Sequence, residues 1–375
     1  MSIARKLRLL GHELTFAVRD PNVAEQVLAN EGFDFLPAPK PVSSLRTSEA
    51  IYSYTDILID CGYTSDMTLR GLVRAWLTIF RLCRPDVVIV DHSPTALLSA
   101  RIAGIPAIMI GSGFEIPPNT TPFPNIRPGF NVPLQRLQSS EGKVLTAINA
   151  VLSLHERPSI DTLTSLFATV PALLTTFPEL DHYGPRTDRE YVGPIHSEPQ
   201  QSPVTWPTQS EQKILVYLRT DHPRIEALMS AIRKLHACTI CVIPKADEGF
   251  CRKYENANLR IHTKPIPLQS LMHDASVVVN YGGAGTITQA LLQGVPLLLL
   301  PPLLEQHVGS LKAARLGAAI VMNGNSREEA FINALNMLLN NPSFKLAAQR
   351  FAQQYQVFNP EIALQRVVNV VTSLL

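Results

Sequence analysis

The sequence predicts an α/β protein made of two Rossmann-like, doubly wound parallel-sheet domains, and three observations carry that expectation. The chain has 375 residues, too many for one ordinary core and enough for two. Two regions repeat one order of elements: an all-apolar strand, a helix, a glycine, one residue, a proline and a second strand. Continuous apolar strands joined by helices are the mark of parallel sheets covered on both faces.

An amphipathic helix opens the chain over residues 1–10, with Ile3, Leu7 and Leu10 on one face and Gly11 as its stop. The first repeat has a strand over 86–91, a helix over 93–103, Gly104-Ile105-Pro106 and a strand ending near Ile110. The second has a strand over 276–280, a helix over 285–293, Gly294-Val295-Pro296 and a strand ending at Leu300. In both, the glycine ends the helix and the proline, which lacks an amide proton, starts the next strand. Residues 196–212 hold Pro199, Pro203 and Pro207 among Ser, Gln and Thr without hydrophobic period and read as a linker. Beyond it the pattern predicts a strand over 213–218, a helix over 223–236, a strand over 238–243 and a short strand near Ile261. Helices follow at about 305–316 and 327–340, and 344–375 is helical with a break at Asn359-Pro360. The domains are therefore 1–195, 213–343 and a C-terminal helical segment 344–375 whose last helix crosses back to the first domain.

Bulk composition narrows the function. A formal charge of +2 without clustered Lys and Arg excludes a nucleic-acid partner. Five cysteines spread over the chain suit a reducing compartment better than a disulfide framework. Cys238 and Cys241 have metal-like spacing, but on a strand they point to opposite faces and read as core, so no metal site or cofactor is expected. The apolar stretch 295–304 is too short to span a bilayer and holds three prolines. Residues 1–10 lack the apolar centre of a secretory signal. The expectation is a cytoplasmic protein without a transmembrane segment, with peripheral membrane contact left open.

The strongest local signal is Tyr281-Gly282-Gly283-Ala284-Gly285-Thr286, between an apolar strand and a helix. Such a turn lets backbone approach a ligand, while free amides and the helix dipole attract phosphate. Glu305-Gln306 follows the next strand, on the edge of a parallel sheet where ligands bind. A carboxylate there suits sugar hydroxyls.

Together with Ala290-Leu291, Gly294-Val295-Pro296 and Pro301, these residues resemble the donor signature of the macrolide- and UDP-glycosyltransferase-like superfamily. The likeness extends to residues 11–17, to Asp91 and Gly104-Ile105-Pro106, and to Thr176-Phe177-Pro178-Glu179-Leu180-Asp181. It implies the GT-B fold, with an acceptor domain and a donor domain facing across a cleft that holds the site. It also implies an inverting, metal-independent glycosyltransferase. The sugar would move from a nucleotide diphosphate donor, UDP-linked by default with thymidine-linked sugars open, to a hydroxyl of a small lipophilic acceptor. By the same resemblance Gly282, Gly283, Gly285 and Thr286 hold phosphate, and Glu305 and Gln306 hold the donor sugar. Residues 264–269, with Ile266 and Gln269, lie against the base, Thr220 keeps a hydroxyl at the first turn of the donor domain, and Asp91 matches the usual partner of a catalytic histidine.

Several positions depart from the family pattern. Tyr281 stands where a histidine meets the diphosphate, Gln289 and Gly309 replace Glu and Asn, and Leu218-Arg219-Thr220 replaces a Gly-Ser pair, with Arg219 available as a charge. Family members open with a strand and a Gly-His base loop ahead of the helix that residues 2–10 resemble. The expectation is therefore a first sheet without its central strand, between 14–18 and 87–90, and a loosely folded first half. Glu115 and His92 are the substitute bases to examine. A nucleotide-sugar-binding pseudoenzyme and a nucleotide-sugar epimerase are the rival readings.

Overall fold

The computed structural model describes residues 1–41, 50–127, 129–195, 204–208 and 210–375. The chain divides into two compact units. Unit 1 holds Met1–Pro178, Tyr183–Ile195 and Pro360–Leu375, and unit 2 holds Glu179–His182 and His196–Asn359. Of the expected linker, residues 196–203 and 209 lie outside the described residues. Residues 179–182 group with unit 2 although they precede that linker, because their side chains bond to two unit 2 helices described below.

Unit 1 runs α1 (Ser2–Leu9), β1 (Thr15–Val18), α2 (Pro21–Leu28), β2 (Asp34–Pro37), α3 (Tyr54–Asp60), α4 (Asp66–Cys83), β3 (Val88–Val90), α5 (Pro94–Ala103), β4 (Ala107–Gly111), α6 (Leu134–Leu154), α7 (Ser165–Ala168), β5 (Ala172–Leu174) and β6 (Glu190–Tyr191). β1 pairs in parallel with β2 as a separate two-stranded sheet, and β3-β4-β5-β6 form a parallel four-stranded sheet. Among the described residues no strand joins β1 to β3. α1 buries Ala4 and Leu7 rather than the full face read from the sequence. Leu10 lies past the last helical turn, where the backbone has left helical geometry, and is 54% exposed.

Unit 2 runs β7 (Lys213–Tyr217), α8 (Ile225–Leu235), β8 (Cys238–Val242), α9 (Glu248–Tyr254), β9 (Leu259–His262), α10 (Gln269–Asp274), β10 (Val277–Asn280), α11 (Ala284–Leu292), β11 (Leu297–Leu299), α12 (Leu304–Arg315), β12 (Ala319–Val321), α13 (Glu328–Asn340) and α14 (Pro342–Gln354). Its sheet is wholly parallel in the order β12-β11-β10-β7-β8-β9. Every residue of β8, β10 and β11 is buried, which is why these strands read as unbroken apolar runs. Cys238 and Cys241 are part of that interior. Burial pushes the Cys241 thiol well up, and Cys238 Sγ donates to the Thr208 carbonyl at 3.2 Å.

The chain leaves unit 2 at the Asn359-Pro360 break. α15 (Pro360–Thr372) then buries Leu364, Val367, Val368 and Val371 against Leu7, Ile108, Ile110 and Leu173 of unit 1. Among the described residues no helix is long and apolar enough to cross a membrane. In unit 2 the strand order runs outward from β7 in both directions, so it reverses between β7 and β10. Ligands of open parallel sheets bind beyond the carboxyl ends of the strands at such a reversal.

Candidate functional site

β10 is apolar up to its last residue, Asn280, which is fully buried. Asn280 Oδ1 accepts the Gly282 amide at 2.6 Å and closes a turn directly after the strand. Gly282 there takes φ +86°, in the left-handed region. A Cβ at Gly282 would lie 2.5 Å from Ser310 Oγ and 3.1 Å from the Gln306 carbonyl oxygen. Glycine is thus required twice, by the backbone and by the close approach of α12. No side chain caps α11, and its first internal bond runs from Ile287 N–H to the Gly283 carbonyl at 3.0 Å. The amides of Ala284, Gly285 and Thr286 precede that ladder and lie at the positive end of the helix dipole.

α12 brings Glu305 and Gln306 in its first turn and Ser310 one turn later. Asn280 Nδ2, Gln306 Oε1 and Ser310 Oγ are buried without a hydrogen-bond partner among the described residues. Polar atoms in native interiors nearly always have partners; these three lie packed around one glycine turn, too buried to meet a ligand themselves. Asn280 and Ser310 escaped the sequence reading. The signals were a lone polar residue closing an apolar strand and a serine four residues after Gln306.

The Tyr281 ring lies over Gly283, whose Cβ would come 3.1 Å from Tyr281 Cε2, and its centroid is 6.0 Å from that of Tyr217. Burial, reinforced by Tyr217, raises the phenol above its ordinary range, with Arg219 opposing and Glu305 adding. Tyr281 is therefore a neutral hydrogen-bond donor at physiological pH. Arg219 comes to this edge but is paired with Asp221 through Nε at 3.1 Å and Nη2 at 2.8 Å. Its charge arrives already balanced, and Thr220 is exposed beside it.

His222, also unread in the sequence, holds this loop. Its Nδ1 accepts the Arg224 amide at 3.2 Å, which leaves Nε2 to donate to the Leu300 carbonyl at 2.9 Å. Burial lowers its pKa, so it serves as a neutral pin between the β7–α8 loop and the end of β11. Ile266 is buried and Gln269 is exposed at the start of α10, which packs on α11 and β7. The structure thus gathers Thr220, Tyr281, Gly282, Gly283, Gly285, Thr286, Glu305 and Gln306 at the carboxyl edge around β7 and β10. Ile266 and Gln269 enter from the segment after β9, at the edge of the sheet.

In unit 1, Asp91 and His92 follow β3, and His92 takes φ +44°, unusual for a residue with a side chain. Its ring centroid is 6.0 Å from Phe114 and 6.1 Å from Tyr54. Asp91 reaches solvent at the rim but is surrounded by protein, and burial followed by repulsion from Glu115 raises its carboxyl to about 6. Burial lowers the His92 pKa, partly offset by Glu115. Glu115 turns back on its own loop, accepting the Ser112 amide at 2.8 Å and its hydroxyl at 3.0 Å.

Residues 226–369 match the family described as Erythromycin biosynthesis protein CIII-like, C-terminal domain. The "PGL/p-HBAD biosynthesis glycosyltransferase" of Mycobacterium tuberculosis is 26% identical over 96% of this chain and 85% of its own length. A "PGL/p-HBAD biosynthesis rhamnosyltransferase" of Mycobacterium bovis is 27% identical over 77% of this chain and 68% of its own length. Among solved structures, spinosyn rhamnosyltransferase SpnG complexed with thymidine diphosphate superposes with a TM-score of 0.69 at 16% identity, covering 98% of this chain and 95% of that one. The glycosyltransferase of kitacinnamycin gives 0.68 at 20% identity, covering 100% and 94%.

Fold and likeness together define the class: the chain is a glycosyltransferase of the GT-B fold. More particularly, residues 226–369 are similar to the EryCIII-like C-terminal domain, and the relatives named above are glycosyltransferases.

Two outcomes follow from this geometry. Gly282→Ala should lose about 1–2 kcal/mol of stability from the left-handed backbone alone, and an unchanged Tm in thermal unfolding would contradict the turn described here. Asp91 has a folded pKa above the ordinary 3.8, so its contribution is present below pH 4 and lost as the pH rises through about 6. Asp91→Asn should accordingly melt above the wild type at pH 7.5 and no higher than it at pH 4. A melting gain that does not change between the two pH values would show that Asp91 is not held in this protonation state.

Proposed function

We propose that this chain moves a sugar from a nucleoside diphosphate donor, thymidine- or uridine-linked, to a hydroxyl of a lipophilic acceptor by one inverting displacement that uses no metal ion. The carrying observation is the glycine turn at the strand-order reversal, where the amides at the start of α11 have no side-chain cap and lie beyond the carboxyl ends of β7 and β10. In the reaction the acceptor oxygen bonds to the anomeric carbon as the bond to the diphosphate oxygen breaks on the opposite face. Charge accumulates on the departing diphosphate, and amides already aimed at it favour that state without reorganising. In this reading Gly282, Gly283, Gly285 and Thr286 receive the phosphates, with Tyr281 adding one neutral donor, and Ile266 and Gln269 border the nucleobase.

Glu305, with its carboxylate 28% exposed, accepts hydroxyls of the donor sugar beside Gln306. An acid in the first turn of a helix is itself stabilised by the dipole. The acceptor proton needs a base, and His92 fits that role in unit 1 because its lowered pKa keeps it neutral and able to take a proton. Glu115, which opposes the lowering of the His92 pKa, is then the acid that favours the ring once it is charged. One structural neighbour supports the donor and acceptor classes by name, since SpnG is complexed with thymidine diphosphate in one structure and with spinosyn aglycone in another.

Calorimetry with UDP, UDP-glucose, dTDP and dTDP-rhamnose tests the assignment of Glu305. Glu305→Ala should weaken the nucleotide sugar roughly 10-fold or more, because hydrogen bonds to a charged group contribute about 1.5–3 kcal/mol, and leave the bare diphosphate nearly unchanged. Equal losses for both ligands would remove Glu305 from the sugar site.

A further inference from the structure

The segment Glu179–His182 belongs to unit 2 through two anchors. Glu179 accepts from Gln354 Nε2 and from Tyr355 Oη, each at 2.6 Å, at the end of α14. At the other end His182, with its side chain 1% exposed, places Nε2 3.2 Å from the Glu305 carbonyl oxygen and 3.8 Å from Glu305 Oε1. The ring reaches this position because of what stands one helical turn later. A Cβ at Gly309 would lie 3.2 Å from His182 Nε2, tighter than ordinary contact. The imidazole therefore sits in the notch that Gly309 leaves in α12, over the backbone of the turn that carries Glu305.

We propose that His182 is a positioning residue for Glu305, holding its carboxylate in the direction that meets the donor sugar, and that Gly309 is glycine in order to admit the ring. The proposal rests on the reading of Glu305 as the sugar-hydroxyl acceptor. His182 is too buried to touch a ligand, so its action passes through Glu305. A protonated Nε2 donates to the Glu305 carbonyl and faces Oε1 from the same side. That restricts the carboxylate at its buried edge and leaves the exposed edge for the sugar. A ligand group held by a restricted side chain loses less entropy on binding, and small displacements of such a group cost much in recognition. The pairing spans 123 residues of sequence.

The test is a double-mutant cycle read by calorimetry with UDP and UDP-glucose, and with dTDP and dTDP-rhamnose. The quantity compared is the ratio of the Kd for the bare diphosphate to the Kd for the sugar-bearing ligand. His182→Leu should lower that ratio by about 5- to 10-fold, the size of one misaligned charge-assisted hydrogen bond, with little change for the bare diphosphate. His182→Gln, which can donate from a similar reach, should recover most of the ratio. In a Glu305→Ala background His182→Leu should have no further effect on it.

An equal loss with and without Glu305, or a loss shared by both ligands that Gln fails to restore, would show a purely structural His182 and overturn the proposal. If His182→Leu does not fold, Gly309→Ala takes its place. Its added methyl should push the ring aside and produce the same sugar-selective loss, and an unchanged ratio there also overturns the proposal. Glu305→Ala alone separates the two claims. A sugar-selective loss from it with no effect at His182 sinks the positioning role only, whereas no sugar-selective loss sinks the reading of Glu305 and the positioning role with it.

Discussion

The hydrogen bond from the Gly282 amide to Asn280 Oδ1 turns the chain at the end of β10, and the arrangement at that edge follows from it. Because the turn closes within two residues, α11 begins almost at the strand and presents uncapped amides beyond the sheet. Because Gly282 has no side chain, α12 packs against the turn closely enough to bring Gln306 and Ser310 beside it. Buried amide oxygens of this kind are strong acceptors in a low-dielectric interior. Asn280 thus ties the sheet, α11 and α12 into one unit.

The electrostatics of this edge bear on the proposal that it receives a diphosphate. Tyr281 is neutral and Arg219 is paired with Asp221, so neither brings an unbalanced positive charge to the turn. Attraction for phosphate then comes from backbone amides and the dipole of α11, which act over short range and require close approach. The glycines at 282, 283 and 285 meet that requirement. Glu305 would repel phosphate, and its raising effect on the Tyr281 phenol shows that its field reaches the turn. An acid in that place suits a ligand that brings hydroxyl donors between it and the phosphate, as the proposed sugar-bearing donor would.

The parts legible in the sequence are those where one physical rule dominates. β8, β10 and β11 are buried on both faces and so appear as continuous apolar runs, and the helix, glycine and proline order between strands follows from local backbone geometry. β6 has only two residues and β2 mixes Asp34 and Pro37 with its apolar pair, so neither stands out from its surroundings. α6, 21 residues long, does not stand out in the sequence, since polar residues such as Ser140 and Glu141 break its apolar stripe. At the site, Glu305 and the glycine turn were visible because motif and neighbouring strand coincide. His182 was not, because its meaning depends on a notch at Gly309 that no local pattern announces. The pairing of Arg219 with Asp221 is likewise hidden from the sequence, since it is set by loop conformation.

The central claim is that the turn from Gly282 to Thr286 seats the phosphates of a nucleotide donor, and a crystal structure with bound nucleoside diphosphate tests it most directly. The account predicts phosphate oxygens at about 2.7–3.2 Å from backbone amides at the start of α11, with the terminal phosphate directed toward Glu305 and Gln306. Phosphate density at another edge of unit 2, or held by side chains with the amides of Ala284, Gly285 and Thr286 uninvolved, would contradict it.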